Sequence, residues 1–184
     1  MYLFKIEFML KSAFKLGEEI KLRSITYKLF QDLWFRYDLS KIDLNWKNWK
    51  TIKYLDDEMT EFNEDISKVP NNLGGIYMFL IKCPIIPGLT EFPMYIGRAQ
   101  LTKNQNLRKR CKEYLNEYKL DRERAKLTFL FEYWPKEIYL AYLPIGENTE
   151  VRDYEKKLIN SLLLPLNDKI PDIEIRQGVK AFQQ

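Results

Sequence analysis

A chain of 184 residues with 46% hydrophobic and 15% aromatic side chains, against 7 Gly and 8 Pro, suits one compact domain with room for an appendage, and excludes a disordered or low-complexity protein. It has no histidine, which rules out Ser-His-Asp and Cys-His catalysis, HExxH zinc sites and other His-dependent nuclease chemistry, and leaves Tyr, Arg, Lys and carboxylates to do any work. The net charge of +4 is uneven: residues 98–126 hold ten basic and four acidic side chains, residues 127–184 seven and nine, and residues 1–70 twelve of each.

Along the chain, Phe4, Ile6 and Phe8 alternate with Lys5 and Glu7 as in a half-buried strand, although a helix running on to Phe14 fits as well. The recurrence of Ile25, Leu29, Phe30, Leu33, Trp34 and Tyr37 predicts a helix over 24–37. Ser40 with Asp43 resembles a capping box, and Ile42, Trp46 and Trp49 predict a second helix to about Tyr54. Met59, Phe62 and Ile66 suggest a third, short one before Pro70, so residues 1–72 read as a mainly helical extension. After Gly74-Gly75 the texture changes. Ile76–Ile81 and Met94–Ile96 read as a strand pair with a long connection, followed by a helix from about Asn106 to Tyr118. Leu127–Tyr133 and Ile138–Ile145 read as further strands, and a last helix runs from about Glu150 to Leu164, ended by Pro165.

Two cysteines, Cys83 and Cys111, are too few for a zinc-finger set or a disulfide framework. Lys5, Glu7 and Lys11 interrupt the first apolar stretch, and no apolar run reaches the roughly 20 residues that cross a bilayer. The expectation is a soluble protein of the reducing cytoplasm with no membrane partner.

Glu155 is out of place on the last helix, four residues after Val151 and three before Leu158, along the side that faces the core. A buried carboxylate needs a cation or donors, or takes up a proton; alternatively it sits at the edge of the stripe and reaches water or Arg152. Arg110 and Tyr114, at i and i+4, stack a guanidinium above a phenol on one helix side.

Gly75-Ile76-Tyr77, then Tyr95-Ile96-Gly97, then Arg110, Tyr114, Glu155 and Asn167, in that order, resemble the GIY-YIG nuclease superfamily. The run Tyr95–Ala99 and the segment Asn106–Arg110 look especially similar to the incision-nuclease domain of bacterial excision repair. The resemblance covers about residues 73–168 of a nuclease-like unit at 73–184. It implies an α+β fold with a small antiparallel sheet of three main strands flanked by helices, attached to the mainly helical N-terminal extension. It departs in two loops: the long connection between Tyr77 and Tyr95, and extra residues at Gln100–Gln105, which either line a DNA groove or are tolerated surface insertions.

Phosphodiester hydrolysis requires an activated water, charge neutralisation on the phosphoryl oxygens and help for the leaving alkoxide. The resemblance implies Glu155 as ligand of one Mg²⁺ or Mn²⁺, for which carboxylate and water are suited. Arg110 would grip the scissile phosphate with its fixed fork of donors, and Tyr77 would act as base. Tyr95 and Tyr114 would orient the water, and Asn167 would tie the last helix to the site. Arg98, Lys103, Arg108, Lys109 and Lys112 would contact flanking phosphates of DNA. Trp46 and Trp49 read as core rather than as DNA readers. The function implied is a metal-dependent DNA endonuclease, of restriction or defence type before homing or repair type. A double-strand cut would take a homodimer or two successive nicks. A module that binds nucleic acid or protein without turnover is the alternative from another class.

Overall fold

The computed structural model describes residues 12–122 and 125–181. Phe4, Ile6 and Phe8, left open between strand and helix, lie outside them.

The fold is α+β. Helices α1 (Ala13–Arg23) and α2 (Gln31–Trp34) precede strand β1 (Lys50–Lys53); β2 (Gly74–Lys82) and β3 (Glu91–Ala99) form a hairpin. Then come α3 (Leu107–Lys119), α4 (Ala125–Tyr133), β4 (Ile138–Ile145), α5 (Asn148–Leu162) and α6 (Ile173–Ala181). Among the described residues the sheet has four strands, in the order β1-β4-β2-β3, all antiparallel. The expected three are therefore corrected to four.

Central β2 is buried from Gly74 to Ile81 because both faces of the sheet are covered, which is why it reads as an unbroken apolar run rather than an alternating one. Tyr77, Phe79 and Ile81 point into one core with Cys111, Tyr114 and Leu115 of α3 and Leu127, Leu130 and Phe131 of α4. Ile76, Met78 and Leu80 point the other way, onto Val151, Tyr154, Leu158 and Ile159 of α5. The result is three layers, α3 and α4, sheet, and α5.

Several expected elements change type. The helix expected over 40–54 is replaced by a 3-10 turn at Trp46–Asn48 and by β1, which pairs with β4 through Lys50↔Tyr142 to Lys53↔Tyr139. In this segment short polar side chains bond the backbone locally. Ser40 N donates to Asp38 Oδ1 (2.9 Å), Asn45 N to Asp43 Oδ1 (2.9 Å) and Lys47 N to Asn45 Oδ1 (3.0 Å). Such turns compete with helix formation. The helix expected over 24–37 contracts to the four residues of α2. Ile25 and Tyr27 instead alternate against the core in extended chain, and the Tyr27 hydroxyl donates to Pro93 O at 2.8 Å. The third expected helix is a 3-10 segment, Glu64–Lys68. Hence the mainly helical N-terminal extension is corrected: beyond α1 it is largely irregular chain, and it lends β1, Tyr54, Leu55, Ile66 and Val69 to the central core. The expected strand at Leu127–Tyr133 is helix α4, with Leu127, Leu130 and Phe131 buried at helical spacing. Helix α6 lies where only a tail was expected. Among the described residues no helix is long and apolar enough to cross a membrane.

Candidate functional site

The first-named triplets stand side by side because β2 and β3 are paired with Tyr77 opposite Gly97 and Phe79 opposite Tyr95. A Cβ built on Gly97 would lie 2.5 Å from the Tyr77 hydroxyl oxygen and 2.6 Å from its Cζ, so only glycine lets the ring cross this position. Gly75, at φ 156°, is held so close to β4 that a Cβ would meet Leu143 O at 2.4 Å.

Three phenols converge behind this crossing. Tyr77 and Tyr114 share a short hydroxyl–hydroxyl hydrogen bond, and the Tyr114 hydroxyl donates to that of Tyr95 at 3.2 Å. Arg110 caps them: its Nε donates to the Tyr77 hydroxyl and Nη2 to that of Tyr114, both at 3.3 Å. Its guanidinium carbon lies 5.1 Å from the centre of the Tyr114 ring, the i, i+4 stacking that the helix spacing predicts. The third donor, Nη1, pairs with Glu113. Glu113 also accepts from Gln105 Nε2 at 2.6 Å.

On the opposite face of β3, Arg98 points toward α5 and its Nη1 meets Glu155 Oε2 at 2.8 Å, the two side chains 31% and 18% exposed. Glu155 thus pairs with Arg98 rather than with Arg152, at a position that opens on solvent. The two half-sites open on one cleft of about 370 Å³, lined by Tyr77, Tyr95, Arg98, Gln100, Thr102, Gln105, Arg110 and Glu155. The cleft wraps the edge of β3, which is an outer strand, so groups on the two faces of the sheet meet around that edge.

Burial sets the protonation states. The Tyr77 hydroxyl is pushed well above its ordinary value by loss of solvent and by the neighbouring phenols, against the opposing pull of Arg110. Tyr114 is raised likewise. Burial also raises Glu155, while Arg98, Arg110 and Lys156 draw it back down. The buried Cys111 thiol is raised by loss of solvent and carries no thiolate nucleophile.

The other expected residues divide. Asn167 is not in the cleft. It clamps the edge strand, accepting from Ile96 N (3.0 Å) and donating to Ile96 O (2.8 Å). Arg108 is engaged with backbone, its Nε donating to Val69 O at 2.6 Å and Nη2 to Ser67 O at 2.5 Å. Lys109 donates to Asn104 O at 2.6 Å, and Lys112 lies 4.9 Å from the centre of the Phe62 ring. Lys103 is exposed on the turn closed by the Thr102–Gln105 bridge. Of the two loops flagged in the sequence, Gln100–Gln105 lines the cleft. The 83–90 connection lies beyond Lys82, five residues or about 17 Å along β2 from Tyr77.

Two contacts escaped the sequence. Glu113 stands three residues after Arg110, a legible i, i+3 pair that was not drawn. The Arg98–Glu155 pair needed the knowledge that β3 packs against α5.

As a ligand set for Mg²⁺, Glu155 offers one carboxylate at the mouth of an open cleft, and the described residues hold no group of three or more His, Cys, Asp or Glu that could bind a metal. That fits an ion which keeps most of its waters and shares substrate phosphate oxygens, provided Arg98 yields the carboxylate. Comparison of the chain with protein-family models, with curated proteins and with solved structures finds no match in any of the three.

Proposed function

We propose that the chain is a metal-dependent endonuclease that hydrolyses DNA phosphodiester bonds, of restriction or defence type. The observation that carries this reading is the convergence of Tyr77, Tyr95, Arg110 and Glu155, drawn from three layers of the fold, on one polar cleft.

Arg110 supplies a planar fork to two phosphoryl oxygens, a task suited to guanidinium geometry and to charge that grows in the transition state. When it turns to the phosphate it uncovers the Tyr77 hydroxyl, which it caps at 3.3 Å. Tyr77 acts as the phenolate: its own proton leaves through the hydroxyls of Tyr114 and Tyr95 to solvent, and the phenolate oxygen then takes the proton of the attacking water as the water's oxygen bonds to phosphorus and the leaving alkoxide departs. Glu155, released from Arg98, is the group that would hold Mg²⁺, and the bound ion would neutralise phosphoryl charge and stabilise the leaving oxygen. Arg98, freed in the same exchange, is left facing the phosphate. With one such cleft formed by the described residues of each chain, a double-strand break takes two copies or two nicks.

A binding module without turnover is the second reading, favoured by the engaged state of the side chains, with Tyr77 fully buried under Arg110 and Glu155 already paired. Supercoiled plasmid separates the two. The nuclease nicks or linearises it with Mg²⁺, stops on chelation, and slows by about 10²-fold or more as Tyr77→Phe. Plasmid that is retained in complexes but never cut, at any Mg²⁺ or Mn²⁺ concentration, establishes the binding module instead.

A further inference from the structure

In the basic segment 98–126, where the sequence concentrates positive charge, most of the described cations between Arg98 and Lys119 are engaged. Arg108 and Lys109 are bonded to backbone carbonyls, Lys119 pairs with Glu61, and Arg110 is held by Glu113. A second set of cations, from a part of the chain with more acidic than basic residues, is differently placed. The cleft continues past Tyr95, Arg98 and Glu155 into a hollow bordered by Lys156, Asn167 and Lys169. That hollow runs on, through Ile159, Asn167 and Asp168, into a concavity bordered by Lys28, Arg176 and Lys180 of the extended N-terminal chain and α6. Neighbouring concavities share lining residues, so the three lie in sequence as a groove of separate hollows, and beyond the cleft the walls carry five cations and one carboxylate, Asp168.

The acids that cancel this charge in a residue count are turned aside. Glu174 pairs with Arg36 at 2.7 Å, and Asp172 accepts from the Tyr37 hydroxyl at 3.0 Å and from Ile175 N at 3.1 Å. Asp153 pairs with Lys157 at 2.7 Å. Net charge over 127–184 therefore misstates the field in the groove.

We propose that this groove, from Glu155 to α6, is the track for one backbone strand of duplex DNA, with Lys156, Lys169, Arg176 and Lys180 as its phosphate contacts. This rests on the nuclease reading and adds the direction in which the substrate leaves the cleft. The groove displays cations without an exposed aromatic on which a base could stack, Tyr95 being buried, so its chemistry fits the phosphates of a paired strand rather than unstacked bases. Contacts of this kind give affinity without reading sequence, and each contributes about 0.9 to the slope of log affinity against log salt.

The test is fluorescence anisotropy of a labelled DNA duplex over a salt series, in chelator so that no cleavage intervenes, with the full chain. The combined Lys156→Ala, Lys169→Ala, Arg176→Ala and Lys180→Ala variant is expected to lose about 3 to 4 from the salt slope, and on the order of a hundredfold in affinity at low salt. A control variant, Lys103→Ala, Lys109→Ala and Lys112→Ala, is expected to lose less than about 1. Circular dichroism checks that both remain folded, and the corresponding set of lysine and arginine interchanges should restore the slope. A groove variant with the wild-type slope, or a control variant that loses more, overturns the track. So does wild type that prefers single-stranded DNA. If wild type still cuts plasmid in those cases, only the track falls; if it neither binds nor cuts, the nuclease reading falls with it.

Discussion

Gly97 shows how a residue without a side chain decides a site. The Tyr77 ring occupies the place of its missing Cβ and is fully buried among Tyr95, Tyr114 and Phe79, so it has little room to retreat. Gly97→Ala should cost about 1–3 kcal/mol in chemical denaturation, as overpacking does, and should lower plasmid cleavage even in fully folded protein. Glu155 behaves differently. Burial raises its pKa in the folded chain, so between its unfolded and folded values the native state binds the extra proton, and stability falls as pH rises through that window, just above the ordinary carboxylate range. Glu155→Gln removes this slope. Thermal melts should find the variant at least as stable as wild type at neutral pH, with its advantage vanishing as the pH drops below the window, although its cleavage is lost. Tyr77, raised well above the usual phenol, predicts a cleavage rate that climbs through pH 7 to 9 without a plateau. A rate independent of pH in that range would remove Tyr77 from the role of base.

At the scale of elements, α3 and α5 are the best-read parts of the chain. Leu107, Cys111, Tyr114 and Leu115 lie buried along one side of α3, and Val151, Tyr154, Leu158 and Ile159 along one side of α5, because apolar residues recur there at helical spacing, on α5 with Glu155 set among them. Elsewhere local chemistry or pairing overrode the spacing. The stripe of Ile42, Trp46 and Trp49 belongs to no helix, since Asp38, Asp43 and Asn45 each accept from a nearby backbone N–H and turn the chain first. Leu127–Tyr133 is too uniformly apolar for periodicity to choose between strand and helix, and packing against α3 chooses helix. Asn167, by contrast, was placed at the site in the sequence but acts on an element: it supplies both bonds that hold the exposed edge of β3 at Ile96. Asn167→Ala should cost about 1–3 kcal/mol in denaturant and speed hydrogen exchange at Ile96, the mark of a freed edge strand.

Over the whole molecule, the site exists because an antiparallel sheet ends in β3. Alternation along this strand sends Tyr95 to the α3 side and Arg98 to the α5 side, so phenols and carboxylate approach around an edge rather than through a core. The residue types of the site were legible from the two triplets and the helical spacing of Arg110, Tyr114 and Glu155. Their state was not: the Arg98–Glu155 pair, the capping of Tyr77 by Arg110 and the engagement of Arg108 all depend on which strand borders which helix. The strand order β1-β4-β2-β3 was equally hidden, since β1 is four residues long and its identity comes only from pairing with β4. The most direct measurement is the single-turnover rate of supercoiled plasmid cleavage in Mg²⁺ for wild type beside Glu155→Ala and Arg110→Ala. One working site predicts that each substitution lowers the rate by about 10²-fold or more while the fold is kept. Equal rates in all three preparations would contradict it.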